Sequence, residues 1–344
     1  MDTKIKEAEV WYDKNKRLYE DFSREMENII IKILKNQGIL YQSVSHRVKE
    51  KESYLNKCDN EKYDNPVEEI MDVSGIRIIA YTNRDVSDIC RILQEEFLID
   101  EQNSINKADI LETDRVGYLS VHYILQLSEN RVALAEYKKY KGLRCEVQVR
   151  TLLQHAWAEI EHDRNYKFAG VLPKEIQRRF HLVAAVLEMM DGEFDKLSRD
   201  IDEYAQNMQE AVKEGDYNLD IDSKSLEQYM LKRFEGISNV RYSPKGDVVS
   251  EIVVQELLRF GYRKILDIEQ DLKKCYNDVV NCDTTYIGIL RAVMITADCK
   301  KYFNVAYKGD WQHTSRERVE LWKKNGAVNV EKYLKEKGIG VREK

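Results

Sequence analysis

The chain has 344 residues, and its 55 Lys and Arg nearly balance its 61 Asp and Glu, which gives a net charge of −6. This balance excludes a protein that binds polyanions through its overall charge, although a local basic patch is compatible with it. The six cysteines form no CxxC pair, which argues against a zinc ribbon or a disulfide framework and favours reduced thiols in the cytoplasm. No apolar run is long enough to span a bilayer, so we expect no membrane contact.

Residues 4–35 are predicted to form an amphipathic helix, because apolar residues recur there at helical spacing. A run of charged residues follows this helix. In that run Arg47 and Lys49 have the spacing of one strand face, and Ser53 and Lys57 lie where a helix can begin. Charge runs are usually solvated surfaces, but Lys, Arg and hydroxyl groups are also what phosphate oxygens bind. The residues alone leave both interpretations open.

A buried strand is predicted over 76–81, where the residues are apolar and mostly β-branched. Asp72 lies just ahead of this strand, and Arg77 points out of it. Ser74 and Gly75 are small and allow a tight backbone turn beside a group bound by Asp72. An acid just ahead of a buried strand is often only a cap or turn residue, so Asp72 alone is a weak signal.

The following segments are predicted to be a helix over 85–97, an irregular loop over 100–116 that covers a site, and a strand over 117–125. Tyr118 comes directly after Gly117 at the start of that strand. Glycine beside the tyrosine leaves the face of the ring open to a flat partner.

A third strand is predicted over 143–150, and its residues alternate without a break. Arg144, Glu146, Gln148 and Arg150 fall on one side, and apolar residues fall on the other. A half-buried strand often alternates for solubility alone. Here the polar side carries both signs of charge and an amide, which suits a bound cation together with an anionic substrate.

The helix that begins at 151 is predicted to direct His155 and Glu159 towards a cleft and Trp157 and Ile160 towards the core. Strands interleaved with helices indicate an α+β core over a mixed sheet.

Three regions follow from these patterns. They are a catalytic domain over 1–170, a long connecting helix over 171–215, and an all-α domain over 216–344 of unknown role. The connecting helix carries an apolar stripe, which includes Val183, Met190 and Phe194 and predicts a packing helix or a coiled-coil arm.

Four motifs, in this order, resemble the synthetase domain of the RelA/SpoT-type alarmone synthetases. They are Arg47-x-Lys49-x3-Ser53-x3-Lys57, Asp72-x-x-Gly75-x-Arg77, Gly117-Tyr118-x-Ser120-x-His122 and Glu146-x-Gln148-x-Arg150-Thr151. The resemblance covers roughly the first half of the chain. It implies a nucleotidyltransferase-like α+β core and a pyrophosphotransferase that moves the β,γ-pyrophosphate of ATP to the ribose 3′-hydroxyl of GDP or GTP. The product would be guanosine tetra- or pentaphosphate.

The resemblance also implies roles for residues on the ATP side of the site. Asp72 and Glu146 correspond to the Mg²⁺ ligands, and Glu146 also to the base for the 3′-hydroxyl. Arg47 and Arg77 correspond to the pair that stacks on adenine. The residues that would hold the ATP phosphates are Lys49, Ser53 and Lys57.

On the acceptor side, Tyr118 corresponds to the ring stacked on guanine, and His155 to a residue that helps orient the acceptor nucleoside. Gln148 and Arg150 correspond to residues that support the site. The region ahead of 45 is too short for the metal-dependent hydrolase domain of bifunctional relatives, so a synthesis-only enzyme is expected, with a homo-oligomer as one possible state.

The chain departs from the family pattern around the Gly-Tyr motif. Relatives usually place a lysine and a small polar residue ahead of it and often an arginine after it, whereas Asp114 and Val116 precede it here and Leu119 follows. The missing positive charge weakens the case for holding the 5′-phosphates of GDP. Two alternatives therefore stay open. One is a toxic relative that pyrophosphorylates the 3′-terminal adenosine of tRNA, with the C-terminal half as neutraliser or sensor, and the other is an inactive nucleotide-binding interaction protein.

Overall fold

The protein divides into two compact units, Met1–Ser198 and Arg199–Lys344. The computed structural model describes residues 3–106, 120–167 and 173–343. None of the described helices combines the length and the apolar character that crossing a bilayer requires.

The first unit alternates between helices and strands. In chain order its elements are α1 (Thr3–Asn36), β1 (Ser43–Val48), α2 (Lys51–Cys58), α3 (Pro66–Glu69), β2 (Ser74–Ala80), α4 (Asn83–Glu96), β3 (Phe97–Ile99), β4 (Ile105–Asn106), β5 (Val121–Leu127), α5 (Glu129–Val132), β6 (Cys145–Thr151) and α6 (Leu152–Lys167). A long helix, α7 (Lys174–Glu214), begins in this unit and continues into the second.

The strands of the first unit form a mixed, six-stranded sheet within the described residues. Its order is β1-β2-β6-β5-β3, with β4 paired to β5. Strands β2 and β6 are parallel, and the other pairs are antiparallel. The predicted α+β class with a mixed sheet is therefore confirmed.

One face of this sheet is apolar and fully covered. Ile78 on β2 and Val147 and Val149 on β6 are each 0% exposed. Helices α1 and α4 cover them, with residues such as Phe22 and Ile89 in the same apolar cluster. Because side chains alternate along a strand, burial of this face leaves the polar side chains of β2 and β6 on the opposite face.

Three strands had no separate prediction from sequence. Strand β1 coincides with the charged run that contains Arg47, and β3 is too short for a periodic pattern. The prediction of an irregular loop over 100–116 is wrong at Ile105–Asn106, which pair with β5. The rest of that loop, from 107, lies outside the described residues.

Helix α7 spans nearly the predicted range, but the prediction that its apolar stripe packs is wrong for several residues. Val183, Met190 and Phe194 are 52%, 44% and 45% exposed. The buried row of the helix instead contains Ala184 and Asp191, at 6% and 2%. Helical periodicity identified an apolar face, but among the described residues the face that is covered is a different one. The alternative of a coiled-coil arm stays a prediction.

The second unit is predominantly helical, as predicted. Its elements are α8 (Ser223–Arg233), β7 (Val240–Arg241), α9 (Glu251–Phe260), α10 (Ile265–Val280), β8 (Thr284–Thr285), α11 (Tyr286–Ala297), α12 (Cys299–Lys301), β9 (His313–Ser315), α13 (Arg316–Lys324), α14 (Val330–Glu336) and β10 (Gly340–Arg342). The strands form two short parallel ladders, β7 with β8 and β9 with β10. A continuous apolar core joins α8 to α11 and α13.

Candidate active site

The polar face of the sheet collects side chains from neighbouring strands in register. Arg47 on β1 pairs with Gly75 on β2, which pairs in turn with Glu146 on β6. One step along, Arg77 on β2 lies beside Gln148 on β6. Residues paired across a ladder project to the same side, so these groups share one surface. They line a cavity of about 280 Å³ together with Ser45, His46 and Ile76.

Gly75 makes room for Arg47. A Cβ atom at position 75 would lie 3.3 Å from Cγ and 3.4 Å from Nε of Arg47, closer than side chains ordinarily pack. The absence of a side chain at Gly75 lets the arginine lie across the sheet towards Glu146.

Asp72, just ahead of β2, is held by two lysines. Its Oδ2 accepts hydrogen bonds from Lys57 Nζ at 2.8 Å and from Lys49 Nζ at 3.0 Å, and its side chain is only 17% exposed. Its Oδ1 is buried and has no hydrogen-bond partner among the described residues. Burial opposes ionisation, but the two ammonium groups outweigh it and hold the pKa of Asp72 below its ordinary value.

Glu146 is held from two sides. Its Oε1 lies 3.2 Å from Nδ1 of His122, and its Oε2 accepts a hydrogen bond from Nε2 of Gln148 at 2.8 Å. Burial raises the pKa of Glu146, but His122 and Gln148 lower it further, so the net shift is downward. The negative charge of Asp72 acts in the opposite direction and raises the pKa of Glu146, but it does not outweigh the other two contacts.

The network around Glu146 extends along both strands. Arg150 Nη2 donates to Gln148 Oε1 at 2.8 Å, and Ser120 Oγ lies 2.9 Å from His122 Nε2. A carboxylate can only accept, so the His122 proton belongs on Nδ1, and Nε2 of the neutral ring then accepts from Ser120. The polar residues of β6 thus orient Glu146 rather than merely facing solvent.

His122 lies in one of the four motifs, but no role was predicted for it. It pairs with Gln148 across β5 and β6. The sequence pattern showed only that Ser120 and His122 lie on the same face of a predicted strand. The register of that strand against β6 shows that this face is directed to Glu146.

The other residues predicted to bind ATP are Lys49, Lys57 and Ser53. Lys49 follows β1 and Lys57 lies on α2, and both reach Asp72. Ser53 lies on the exposed side of α2. Tyr118, the predicted guanine-stacking residue, lies outside the described residues.

Helix α6 contributes a second pair of side chains. Glu159 Oε1 lies 3.1 Å from Nη1 of Arg77 and 3.7 Å from Nδ1 of His155. The prediction that His155 and Glu159 share the cleft side therefore agrees with these contacts. Trp157 is buried as predicted, at 8% exposed, but Ile160 is 57% exposed, so its predicted core position is wrong.

The stability of the folded chain should depend on the protonation of His155. Burial and then the charges of Arg150 and Arg77 lower its pKa from the ordinary value of 6.5. As the pH falls below about 6.5, the unfolded chain takes up a proton that the folded chain does not, so the free energy of unfolding falls. Urea unfolding at pH 7.5 and 5.5 should show a smaller pH dependence in His155→Gln than in the wild type.

The matched control is His181→Gln, which removes an exposed histidine from α7. It should keep the wild-type pH dependence. An unchanged dependence in His155→Gln would contradict the contribution assigned to this side chain.

The described residues contain no cluster of three or more His, Cys, Asp and Glu side chains that could hold a metal ion. The best pair of candidate ligands is Asp72 and Glu146. The buried Oδ1 of Asp72 has no hydrogen-bond partner among the described residues, so it keeps its capacity to accept one. Mg²⁺ suits such a pair, because it is usually bound through one or two carboxylates, with waters and phosphate oxygens as its other ligands.

Comparison with known proteins identifies the class. Residues 46–170 match the family described as "Region found in RelA / SpoT proteins". Residues 46–170 therefore form a RelA/SpoT-type synthetase domain. Together with the relatives described next, which are named GTP pyrophosphokinases, this domain makes the chain an enzyme of the pyrophosphotransferase class. This confirms the resemblance carried by the four motifs.

Individual relatives agree with this assignment. The GTP pyrophosphokinase YwaC of Bacillus subtilis (strain 168) is 26% identical over 161 residues, which cover 45% of this chain and 73% of the relative. The GTP pyrophosphokinase YjbM of the same organism is 26% identical over 163 residues, which cover 46% of this chain and 73% of the relative.

Solved structures with detectable likeness include the small alarmone synthetase 1 from Bacillus subtilis. It is 23% identical, has a TM-score of 0.47, and covers 56% of this chain and 99% of its own. A GTP pyrophosphokinase family protein from Streptococcus pneumoniae is 25% identical, has a TM-score of 0.46, and covers 57% of this chain and 96% of its own.

Proposed function

We propose that this protein transfers the β,γ-pyrophosphate of ATP to the ribose 3′-hydroxyl of GDP or GTP in a Mg²⁺-dependent reaction. The observation that carries the proposal is the position of two acids at the cavity that Arg47 and Arg77 line. Glu146 lines this basic cavity, and Asp72 precedes the strand whose Gly75 pairs with Glu146. The relatives named GTP pyrophosphokinases support the choice of a guanine nucleotide as acceptor.

The two carboxylates are the proposed Mg²⁺ ligands. When bound, Mg²⁺ would neutralise charge on the phosphate groups of ATP and so favour attack at phosphorus. Both acids have lowered pKa values and are therefore charged at neutral pH, as metal ligands must be.

Lys49 and Lys57 have two successive partners in this proposal. Without nucleotide they neutralise Asp72, at 3.0 and 2.8 Å. When ATP binds, they move to its phosphate oxygens, and the carboxylate of Asp72 becomes available to the cation. In the free protein these ion pairs hold Lys49, Lys57 and Asp72 in position. The two lysines are then ready to bind the phosphate groups of ATP, and the aspartate is ready to bind Mg²⁺.

Arg47 and Arg77 are the proposed contacts of the adenine ring. Both line the 280 Å³ cavity, and a guanidinium group is planar and stacks well on aromatic rings. Glu159 contacts Arg77 at 3.1 Å and limits its rotation.

In the proposed reaction the acceptor 3′-oxygen forms a bond to the β-phosphorus of ATP. The bond between that phosphorus and the α,β-bridging oxygen breaks, and AMP leaves with the bridging oxygen. Glu146 orients the hydroxyl group and accepts its proton as the attack proceeds, while His122 and Gln148 hold the carboxylate in position. In this proposal His155, which lies beside Arg77 and Glu159, orients the acceptor nucleoside.

Substitution of Gly75 tests the adenine contact. In Gly75→Ala the new methyl group displaces Arg47, so the KM for ATP should rise roughly two- to fivefold, the loss expected for one exposed cation–π contact. Arg47 is an exposed side chain, so thermal stability should change little.

Arg47→Ala provides the matched comparison. It should raise the KM for ATP by a similar factor, and the double variant should be no worse than either single variant, because both changes remove the same contact. Fully additive effects in the double variant would contradict the link between Gly75 and Arg47.

The acceptor is tested by incubating the purified chain with labelled ATP, Mg²⁺ and GDP, GTP or bulk tRNA in parallel. The proposal expects label in a 3′-pyrophosphorylated guanine nucleotide. Label in tRNA alone would overturn the acceptor assignment in favour of the tRNA alternative. ATP binding without transfer to any acceptor would favour the inactive nucleotide-binding alternative.

A further inference from the structure

The second unit contains a small cavity that the proposed reaction does not use. It has a volume of about 90 Å³ and lies between the first turn of α11, the segment before and within β9, and α13. Trp311 and Trp322 form its aromatic walls, with ring centroids 6.2 Å apart. Its polar lining residues include Thr314 and Arg318.

Thr314 is the first sign that the cavity takes a ligand. The residue is only 6% exposed, and its Oγ1 is buried with no hydrogen-bond partner among the described residues. Buried polar groups in folded proteins are nearly always hydrogen-bonded, so an unpaired hydroxyl that lines a cavity indicates a partner from outside the chain.

Arg318 supplies positive charge at the same cavity. Its Nη2 donates to the backbone oxygen of Asp283 at 3.2 Å, which orients the guanidinium group without neutralising it. Its Nε is buried and has no hydrogen-bond partner in the described part of the chain, and the group also lies near the Cys282 thiol, which carries no charge to balance it. The carboxylate of Asp283 is directed to Arg241 instead, at 2.7 Å.

The second arginine of the lining, Arg291, is already balanced. Its Nε and Nη2 donate to the two carboxylate oxygens of Glu256 at 2.9 and 2.8 Å. Arg291 thus has a charge partner within the chain, whereas the partner indicated for Arg318 is an anion in the cavity.

The start of α11 adds to the positive potential. Thr285 caps this 12-residue helix by accepting a hydrogen bond from the amide of Gly288 at 3.0 Å, and both residues line the cavity. The positive end of the helix dipole therefore lies at the cavity wall, where it favours a negative charge. A Cβ at Gly288 would come within 2.5 Å of Thr284 Oγ1, so the tight first turn needs glycine.

The volume limits the size of the ligand group. About 90 Å³ is less than the roughly 150 Å³ cavity that holds a benzene molecule in another protein. The space therefore suits a charged group of a few atoms, with an attached carbon skeleton against the indole rings, and it is too small to enclose a whole nucleotide.

We propose that this cavity binds the oxyanion group, carboxylate or phosphoryl, of a small ligand. The anion accepts hydrogen bonds from Thr314 Oγ1 and Arg318 Nε beside the N-terminus of α11. Trp311 forms the adjacent wall, and its Nε1 donates to Tyr302 Oη at 2.9 Å, which fixes the indole ring.

The test uses the full chain, titrated by calorimetry with inorganic phosphate and, separately, with acetate. At least one anion should bind saturably, and Thr314→Val and Arg318→Gln should each weaken that binding by about tenfold or more, the loss expected of one hydrogen bond to a charged group. Phosphate binding without acetate binding identifies a phosphoryl ligand, and the reverse identifies a carboxylate. Both variants leave the basic cavity of the first unit unchanged. Anion binding that both variants retain is therefore assigned to that cavity.

Two further measurements separate binding from folding. Thr314→Val should melt at a higher temperature than the wild type in the absence of ligand, because it removes a buried, unpaired hydroxyl group. Arg316→Gln is the matched control, since Arg316 lies on the same helix but is paired with Glu331 at 2.9 Å, and it should bind the anion normally. The proposal is overturned if neither anion binds saturably, or if Thr314→Val and Arg318→Gln bind as tightly as the wild type.

Discussion

Replacement of Glu146 by Gln is expected to lower the rate of pyrophosphoryl transfer by about a thousandfold or more while ATP affinity stays within a few-fold of the wild type. The amide keeps the shape of the side chain but cannot accept the proton of the 3′-hydroxyl, and it is a poor metal ligand. ATP affinity is spared because Lys49, Lys57 and the two arginines of the cavity are unchanged. Product formation and calorimetric ATP binding in the same preparation measure both effects.

The control for this variant is Glu129→Gln. Glu129 lies in the same unit, is 78% exposed at its side chain and pairs with Lys141 at 3.2 Å. It has no part in the proposed reaction. It should transfer pyrophosphate at the wild-type rate. Retention of more than about a tenth of that rate by Glu146→Gln would contradict the role given to the carboxylate.

Replacement of Glu256 by Gln should have the largest effect on stability, about 3–5 kcal/mol in the free energy of unfolding of the second unit. The Glu256 side chain is 0% exposed and binds Arg291 through both carboxylate oxygens. It also accepts a hydrogen bond from Tyr302 at 3.2 Å. The variant keeps the volume of the side chain but leaves the charge of Arg291 without its counter-ion. Urea unfolding followed by tryptophan fluorescence reports the loss, because Trp311 adjoins this group.

Glu227→Gln provides the matched comparison on an exposed ion pair. Glu227 pairs with Lys224 at 2.9 Å on the surface of α8, and exposed pairs contribute less than about 1 kcal/mol. Equal losses of stability in the Glu256 and Glu227 variants would show that the buried pair has no special role.

The parts of the fold that could be predicted from sequence are those with strong local patterns. Strand β6 was predictable because its alternation gave both its extended structure and its two faces. The long helices α1 and α7 were predictable in extent from their apolar spacing. What spacing could not show for α7 is which face is covered, because burial depends on distant parts of the chain.

The candidate site was predictable as a set of residue types but not as a network. Lys57 and Asp72 are 15 positions apart, and only the folded chain brings them to 2.8 Å. The contact of His122 with Glu146 depends on the register of β5 against β6, which has no local signature. The Glu256–Arg291 pair, 35 positions apart, was hidden for the same reason.

The chemical identity of the leaving group tests the central claim most directly. The purified chain, incubated with ATP, Mg²⁺ and GDP or GTP, should release AMP in equal amount to a guanine nucleotide that carries a 3′-pyrophosphate. This result requires cleavage between the α- and β-phosphates of ATP. Release of ADP, or no consumption of ATP under these conditions, would contradict pyrophosphoryl transfer at Asp72 and Glu146.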